Sequence, residues 1–468
     1  MNFDALDARV SAMKDELIAD LKRWISVPSV LSEPAENAPF GAETRRMLDM
    51  ALADARKYGF PTRDFDGYAG DISLGGGEQT MGMLCHLDVV PVGDDWKHDP
   101  WGGEIEGGKL YGRGAIDDKG PALCALYAMR AVRDCGIPLK DGVRLILGCD
   151  EETGMQDMRY YASREKMPDY GFSPDAEFPV INIEKGGLNL LLSKYVPEND
   201  ESAIQILSLY AGVRPNVVPG IAKAVVKAKD EKAFLESVEK IAKARDFKLT
   251  TEKSGDEITL TAEGTSVHAS MPQLGKNAAG MLLIALSDLN AGGAIAPAIR
   301  TLAEKVGVDY TGESLGIRQE DELSGPLTCN LGILRYDGHY LSAELDTRYP
   351  LCANEKDMLG SAAMAVSESG MAVTRLGGHT PLHVPAEHKV VRGLIEVYHD
   401  VTGLPGYAFA IGGGTYSRMM PNTVAFGLNF PGDVDTCHMP DEYIDIEKMM
   451  LSVKIFAHAI AALAGGEN

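Results

Sequence analysis

Residues 111–120 read Tyr-Gly-Arg-Gly-Ala-Ile-Asp-Asp-Lys-Gly, so two adjacent carboxylates, Asp117 and Asp118, stand at the end of a glycine-rich turn. The residues that follow, from Pro121 to Arg133, predict a helix, because proline suits a first helical turn and Gly136 can terminate it. Carboxylates between a turn and a helix are candidate metal ligands, and for Asp118 the alternative is that it simply caps the helix.

Short apolar runs flank this helix in the sequence, and each is followed by groups that can bind metal. Met83–Cys85 precedes His86 and Asp88, and Val143–Leu147 lies shortly before Glu151-Glu152. Strand and helix signals that alternate in this way predict an α/β fold, which places its ligands at the carboxyl ends of the strands. Carboxylates mixed with imidazole suit one or two divalent ions, and a spare carboxylate beside them suits a general base.

The pattern changes from about Leu188 onward. Alternating segments predict strands at 190–195 and 257–261, and a helix is predicted at 231–244, which together indicate an α+β insert. A glycine- and proline-bearing stretch, Gly377–Pro381, marks the return to the first domain. We therefore predict a catalytic domain built from residues 1–187 and 380–468, with a lid domain of residues 188–379 inserted between them.

Both ends of the chain predict helices. Near the N-terminus, apolar residues recur at helical spacing among acids and lysines, which indicates an amphipathic helix rather than a signal peptide: Val10, Met13, Leu17, Leu21 and Trp24. The segment from Asp445 to Leu463 has an apolar face of the kind that covers a sheet.

Charge and cysteine content narrow the class of partner. The 468 residues carry a formal net charge of -23, which argues against binding to nucleic acid or to an anionic membrane. The seven cysteines lack CxxC spacing, which is typical of a reduced chain, and no apolar stretch is long enough to span a bilayer. We expect a soluble cytoplasmic protein that acts on a cation or a small solute.

Five separated motifs occur in order along the chain: His86-Leu87-Asp88-Val89-Val90-Pro91, the run Gly112–Gly120, Glu151-Glu152, the run Ser173–Pro179, and the late His438. Together they resemble the M20 metallopeptidase family and, within it, the PepV-like bacterial dipeptidases. The similarity covers essentially the whole chain. It implies a zinc-peptidase-type catalytic domain, with a mixed sheet flanked by helices, and an inserted α+β lid domain.

The resemblance also implies two zinc ions per chain and the residues that hold them: His86, Asp117, Glu152, Asp175 and His438. His86 would bind one ion and His438 the other, while Asp117 would bridge both. Glu177 is an alternative to Asp175 as the metal ligand, because both residues lie in the same short motif. A ligand shell rich in oxygen would also accept Mn²⁺ or Co²⁺.

Two further acids receive roles from the resemblance. Asp88 would orient the His86 imidazole, and Glu151 would act as general base on a water between the ions before it protonates the leaving amine. Family structures also place a cis peptide after the bridging aspartate, which here is the bond Asp117–Asp118.

Substrate contacts are expected mainly from the lid. His268 resembles the family histidine that reaches over the active site, and Asn216 would assist it on the oxyanion. Arg348 would hold the substrate carboxylate in a bidentate grip, unless it is a strand-surface arginine that pairs with nearby acids. The run Gly412-Gly413-Gly414-Thr415 lacks the lysine of a phosphate loop, so exposed backbone amides at Gly413, Gly414 and Thr415 that cradle a carboxylate are the better interpretation.

These features predict a zinc-dependent hydrolase that cleaves dipeptides or very short peptides. One alternative is a deacylase of N-acyl amino acids or related small amides with the same metal chemistry. An alternative of another class is a catalytically silent metal-binding protein, against which Glu151 beside a complete ligand set argues. The insert is about as long as the enlarged lid of PepV-like members, so we expect His268 to act within its own chain and the protein to be a monomer.

Overall fold

The computed structural model describes residues 3–196 and 202–466. The helices are α1 Asp4–Ala12, α2 Lys14–Ile25, α3 Ala42–Lys57, α4 Lys119–Asp134, α5 Gln156–Arg164, α6 Glu231–Arg245, α7 Ala278–Asp288, α8 Ala296–Lys305, α9 Glu355–Val366, α10 Lys389–Thr402 and α11 Ile446–Leu463. Short 3-10 helices lie at Pro272–Leu274, Gly293–Ile295, Ser367–Ser369 and Tyr416–Met419.

The strands are β1 Thr62–Phe65, β2 Ala69–Leu74, β3 Thr80–His86, β4 Glu104–Glu106, β5 Lys109–Tyr111, β6 Gly142–Gly148, β7 Tyr170–Ser173, β8 Ala176–Glu177, β9 Val180–Glu184, β10 Gly186–Tyr195, β11 Ile204–Ala211, β12 Ile221–Ala228, β13 Lys248–Ser254, β14 Glu257–Glu263, β15 Glu320–Asp321, β16 Gly325–Pro326, β17 Thr328–Tyr336, β18 Tyr340–Tyr349, β19 Ala372–His379, β20 Leu382–His383, β21 Ala408–Ile411, β22 Thr423–Ala425, β23 Leu428–Asn429 and β24 Tyr443–Asp445.

The chain forms two compact units. The first contains Met1–Ile183, Leu382–Phe409 and Gly414–Asn468, and the second contains Glu184–Pro381 and Ala410–Gly413. The domain limits that we predict from the sequence, 187/188 and 379/380, stay a prediction about how the chain is organised.

Unit 1 is built on a mixed sheet in the order β1-β2-β6-β3-β7-β22-β9-β20, with β21 paired to β9. Its centre is parallel, because β3 pairs with both β6 and β7 in parallel and β22 continues from β7 in the same sense. Strands β3 and β6 are buried over almost their whole length, which explains why they read as continuous apolar runs rather than as an alternation. This sheet confirms the predicted α/β class.

Helix α4 is the predicted helix after the paired acids, and it begins two residues earlier than expected. Gly136 ends it with a φ of 64°, and the N–H of Ile137 donates back to the carbonyl of Val132. Fourteen of its residues are buried, because it contacts both β3 and α11. The C-terminal helix α11 also agrees with the sequence pattern, with Asp445 as its N-cap.

The prediction of one continuous N-terminal helix was wrong. The segment is divided into α1 and α2 at Met13, whose φ of -96° and ψ of 0° leave the helical range. The apolar positions that motivated the prediction are nevertheless buried in one core, since Val10, Met13, Leu17, Leu21 and Trp24 are all at most 3 % exposed.

Unit 2 is an antiparallel sheet in the order β13-β14-β12-β11-β17-β18-β10-β19. Strands such as β14 alternate between buried and half-buried residues, because one face packs against helices that include α6 and α7. The unit has its own hydrophobic core, which includes Leu190, Leu260 and Leu286. It agrees with the predicted α+β character of the insert.

Within residues 3–196 and 202–466, no single helix combines the length and the apolar character needed to cross a membrane. Two helices joined at a bend of 114°, Ala278–Asp288 and Gly293–Lys305, meet those criteria by length and composition only when they are taken together.

Candidate active site

The acidic groups of unit 1 converge where its parallel strands end. His86 is the last residue of β3, Glu151 and Glu152 follow β6, and Asp175 follows β7. Because β3 pairs in parallel with both β6 and β7, these ends lie at the same edge of the sheet. The topology therefore brings together side chains that are far apart in the sequence.

Asp117 lies between two histidines. Its Oδ1 atom is 2.9 Å from Nε2 of His86, and its Oδ2 atom is 3.0 Å from Nε2 of His438. Glu152 Oε1 is 3.0 Å from the same His438 nitrogen, and Asp175 Oδ2 is 3.8 Å from Nε2 of His86. The arrangement has two halves, each with one imidazole and one further carboxylate, and Asp117 faces both.

Two groups of these residues have ligand atoms close enough to share an ion. In one group His86, Glu151 and Asp175 offer atoms within 4.8 Å of one another, and in the other His86, Asp117 and Glu152 do so. Glu177, the competitor of Asp175, is exposed on β8. The geometry permits Glu151 to be a ligand as well as a base.

The charges of the cluster suit cations. Five carboxylates and two imidazoles meet here: Asp88, Asp117, Glu151, Glu152, Asp175, His86 and His438. Even with both imidazoles protonated, negative groups outnumber positive ones, and an uncompensated buried charge is costly. Hard carboxylate oxygens with imidazole nitrogens are ligands that zinc, manganese and cobalt accept. The residues present therefore fit divalent metal ions.

The close packing of these charged groups shifts the pKa values of several of them. Burial, followed by the nearby Asp175 carboxylate, raises the pKa of Glu151 well above its ordinary value. Burial opposes the charge of His438, but hydrogen bonds with Asp117 and Glu152 outweigh it and raise the pKa of His438 to about 11. Burial also opposes ionisation of Asp117, yet His438 and His86 hold the pKa of that carboxyl below its usual range.

Asp88 supports both the histidine and the glutamates. The closest acceptor for Nδ1 of His86 is the backbone oxygen of Asp88 at 2.9 Å, while the Asp88 carboxylate is 3.4 Å away. That carboxylate accepts the backbone N–H groups of Glu151 at 3.2 Å and of Glu152 at 3.1 Å. Asp88 thus links the end of β3 to the turn that follows β6.

The side chain of Asp118 does not cap helix α4, so that alternative was wrong. Asp118 occupies the N-cap position but makes no capping hydrogen bond; its Oδ2 atom instead accepts the backbone N–H of His86 at 2.9 Å. This contact draws the carboxylate toward β3 and away from the first turn of the helix. The peptide bond Asp117–Asp118 is cis, as the resemblance implies.

In unit 2, His268 and Asn216 lie on neighbouring segments. The N–H of Ala269 donates to the backbone oxygen of Asn216 at 2.9 Å, and Val217 forms a β-bridge with His268. The Nδ1 atom of His268 lies 2.7 Å from the hydroxyl oxygen of Ser270 and 3.2 Å from the backbone nitrogen of the same residue. Backbone contacts thus hold the His268 segment against the Asn216 segment within unit 2.

Arg348 lies on β18 and its guanidinium forms a forked pair with Asp346. Nε donates to Oδ1 at 2.7 Å and Nη2 donates to Oδ2 at 2.9 Å. The alternative interpretation, an arginine paired with a nearby acid, therefore describes the contact seen here. The same contact also fixes the orientation of the guanidinium plane.

The glycine run lies between β21 and the 3-10 helix Tyr416–Met419. In unit 2, a Cβ added at Gly412 would lie 3.0 Å from the Cβ of Ser270, and at Gly413 the nearest atom would be 3.5 Å away. In unit 1, a Cβ at Gly414 would lie only 1.9 Å from Nη2 of Arg418, so a guanidinium borders the run. Thr415 is buried, and its hydroxyl oxygen accepts the N–H of Ser417 at 3.1 Å.

Comparison with known proteins decides the family. The model of peptidase family M20/M25/M40 matches residues 82–462, which is most of the chain. The chain belongs to this peptidase family.

Relatives of this M20 peptidase match it from end to end. YtjP of Bacillus subtilis (strain 168) is 37% identical over 462 residues, covering 98% of this chain and 99% of that protein. The Beta-Ala-Xaa dipeptidase of Lactobacillus delbrueckii subsp. lactis is 34% identical over 476 residues, covering 100% and 99%. Human carnosine dipeptidase 1 has a similar fold, with a TM-score of 0.59 at 16% identity over 99% of both chains. The resemblance stated from the motifs is thereby confirmed.

Sequence reasoning about this M20 peptidase missed the role of Glu442. Its fully buried carboxylate pairs with Arg113 Nη1 at 2.5 Å and accepts three backbone N–H groups of the glycine-rich turn, from Gly114 and Ile116 at 3.0 Å and from Asp117 at 3.2 Å. Glu442 thus holds the turn that presents Asp117. The available signal was its place four residues after His438, which the motif pattern had already singled out.

Proposed function

We propose that this peptidase is a dinuclear metal-dependent dipeptidase that hydrolyses dipeptides or very short peptides. The observation that carries the proposal is the Asp117 carboxylate between His86 and His438, with Glu151 close to His86 and Asp175. The relationship to a Beta-Ala-Xaa dipeptidase over the whole chain supports the substrate class.

The ligand roles are proposed from the resemblance, and the short distances between the side chains support them. Asp117 would contact both ions; His86 and Asp175 would complete one shell, and His438 and Glu152 the other. Zinc is the ion we propose, with manganese or cobalt as substitutes that the same oxygen-rich set accepts. When bound, such ions polarise a carbonyl and lower the pKa of water.

Glu151 is the proposed general base. A carboxylate whose pKa is raised by burial is a better proton acceptor near neutral pH than an ordinary surface glutamate. It would take a proton from the attacking water and pass it to the nitrogen of the leaving amine, so that one side chain serves both halves of the reaction. Asp88 orients this group through the backbone N–H of Glu151.

Substrate recognition is assigned to residues that present donors. His268 and Asn216 would stabilise the developing oxyanion. Arg348 would bind the substrate carboxylate, with Asp346 holding its guanidinium plane in a fixed orientation. The backbone amides of Gly413 and Gly414, together with Thr415, would contribute further donors.

The net charge of the protein bears on its binding partners in the cell. The formal charge of -23 disfavours nucleic acid and anionic membranes as partners. We propose a cytoplasmic monomer whose partner is a small peptide.

A substrate panel tests the proposal against its alternatives. Metal-reconstituted protein is assayed with dipeptides, tripeptides and the matching N-acetyl amino acids, and with Glu151→Gln protein as the inactive control. The dipeptidase proposal predicts the highest kcat/KM for dipeptides. Preference for N-acetyl amino acids would identify a deacylase, and metal binding without turnover of any compound would identify a silent metal-binding protein.

A further inference from the structure

The turn that carries the two glutamates is held by carboxylates that accept hydrogen bonds from its backbone N–H groups. We call residues 149–152 the glutamate turn. Asp157 Oδ2 accepts the N–H of Cys149 at 2.6 Å and of Asp150 at 2.8 Å, and Asp88 accepts the next two N–H groups, those of Glu151 and Glu152. Four consecutive backbone donors therefore end on two carboxylates, one that follows the end of β3 and one in the first turn of α5.

A third donor reaches the same oxygen of Asp157. It is the hydroxyl of Tyr416, the residue that follows Thr415. Tyr416 and Asp157 are both fully buried. Their approach depends on Gly148, because a Cβ added there would lie 2.1 Å from the Tyr416 hydroxyl oxygen and 2.4 Å from Asp157 Oδ2. The last residue of β6 thus leaves room for the pair just before the glutamate turn begins.

We propose that Tyr416 and Asp157 are positioning residues for Glu151. This inference rests on the proposed function, in which Glu151 is the base. One oxygen that accepts two turn N–H groups and a tyrosine hydroxyl has little freedom to move, so the start of the turn is fixed in place. The other half of the turn is fixed by Asp88, and the Glu151 carboxylate is then aimed from a backbone anchored on both sides.

The competing explanation is that Tyr416 only fills the core. It packs in a small cluster with Leu84, Ile146, Met158 and Tyr161. Tyr161 offers a matched control, because it is also fully buried and its hydroxyl donates to the buried Asp71 at 2.8 Å. Tyr161 makes no described contact with the glutamate turn. Tyr416→Phe and Tyr161→Phe therefore each remove a buried hydrogen bond to an aspartate, but only Tyr416→Phe removes one that reaches the turn.

The first readout is independent of activity. Hydrogen–deuterium exchange is measured for peptides that cover residues 149–155 in wild-type, Tyr416→Phe and Tyr161→Phe protein, each saturated with Zn²⁺. We expect faster exchange in Tyr416→Phe alone, because its turn N–H groups share an acceptor that has lost its third donor. Equal exchange in the two variants would overturn the inference whatever the substrate of the enzyme.

The second readout is kinetic. At saturating Zn²⁺, Tyr416→Phe should lower kcat on the order of tenfold or more with little change in KM, since small displacements of a catalytic group are costly. Tyr161→Phe should stay within about twofold. In the Glu151→Gln background, Tyr416→Phe should have almost no further effect, because a positioning residue acts through the group it positions.

The outcomes separate the two claims. Multiplicative effects of Tyr416→Phe and Glu151→Gln would overturn the positioning role while leaving Glu151 as the base. Unchanged turnover in Glu151→Gln alone would instead refute the proposed function, and the exchange measurement would still report whether Tyr416 holds the turn.

Discussion

Asp117 Oδ2 lies 3.0 Å from Nε2 of His438, although the two residues are far apart in the sequence. The other oxygen of Asp117 faces His86 at 2.9 Å. A carboxylate whose two oxygens face two separate imidazoles is suited to bridge a pair of ions.

Glu151→Gln should lower turnover by a factor on the order of 10² or more while the metal content stays at the wild-type level. The amide keeps the size of the side chain but cannot accept the proton. Kinetics are measured beside metal analysis of the same samples, and Glu177→Gln, an exposed glutamate on β8, serves as the control. Loss of metal in Glu151→Gln would show that Glu151 is a metal ligand. The assignment of Glu151 as the base and Glu152 as the ligand would then be wrong.

Asp117→Ala should empty or scramble both metal positions, because a bridging residue serves two ions. His86→Ala and His438→Ala should each weaken mainly one position, and not the same one. Occupancies from anomalous scattering of crystals grown with zinc distinguish these patterns. If Asp117→Ala lost the same single ion as one of the histidine variants, the bridging role would be refuted.

His268→Ala should lower kcat strongly and leave metal content unchanged, because the residue is proposed to donate to the oxyanion. His268→Gln, which retains a donor, should retain more activity. Mixing His268→Ala protein with Glu151→Gln protein tests whether the histidine acts within its own chain, and we expect no recovery. Recovery to roughly a quarter of normal activity would show that it serves a partner subunit, and the monomer proposal would be abandoned.

His98 should stabilise the fold at low pH more than at high pH. Its Nε2 faces Glu106 at 3.0 Å and its Nδ1 faces Asp441 at 3.0 Å, and these carboxylates, Glu106 first, raise the pKa of His98. Because the pKa of His98 is higher in the folded than in the unfolded protein, protonated His98 stabilises the folded state. This stabilisation is complete when the pH is below the pKa in the unfolded protein, about 6.5, and is lost as the pH rises through the pKa in the folded protein.

The prediction is checked by measuring the difference in Tm between wild-type and His98→Gln protein at about pH 5.5 and at about pH 9. At each pH, the contributions of the other titrating groups to Tm cancel between the two proteins. The difference should shrink at the higher pH. A difference that stays constant or grows with pH would show that the two ion pairs do not carry the effect.

The sequence predicted the parts of the site that depend on local patterns. The buried strands β3 and β6 show as apolar runs, and His86, Glu151 and Glu152 follow from their ends. The family expected from motifs such as Gly112–Gly120 was confirmed by the family model, which matches residues 82–462.

The supporting contacts could not be predicted, because they join residues distant in sequence. Nothing local indicates that Asp118 turns away from its own helix to accept the N–H of His86, or that Glu442 accepts three N–H groups of the turn before Asp117. The division of the N-terminal helix at Met13 was also missed, since the apolar spacing continues through the break. Such features depend on the packed structure rather than on periodicity.

The most direct test of the account is a titration of metal-free protein with Zn²⁺, in which bound ions per chain and hydrolysis of a dipeptide are measured on the same samples. The account predicts that activity develops as the ratio approaches two ions per chain and that Asp117→Ala protein never reaches it. Full activity with one ion per chain, or two bound ions without hydrolysis of any dipeptide, would contradict it.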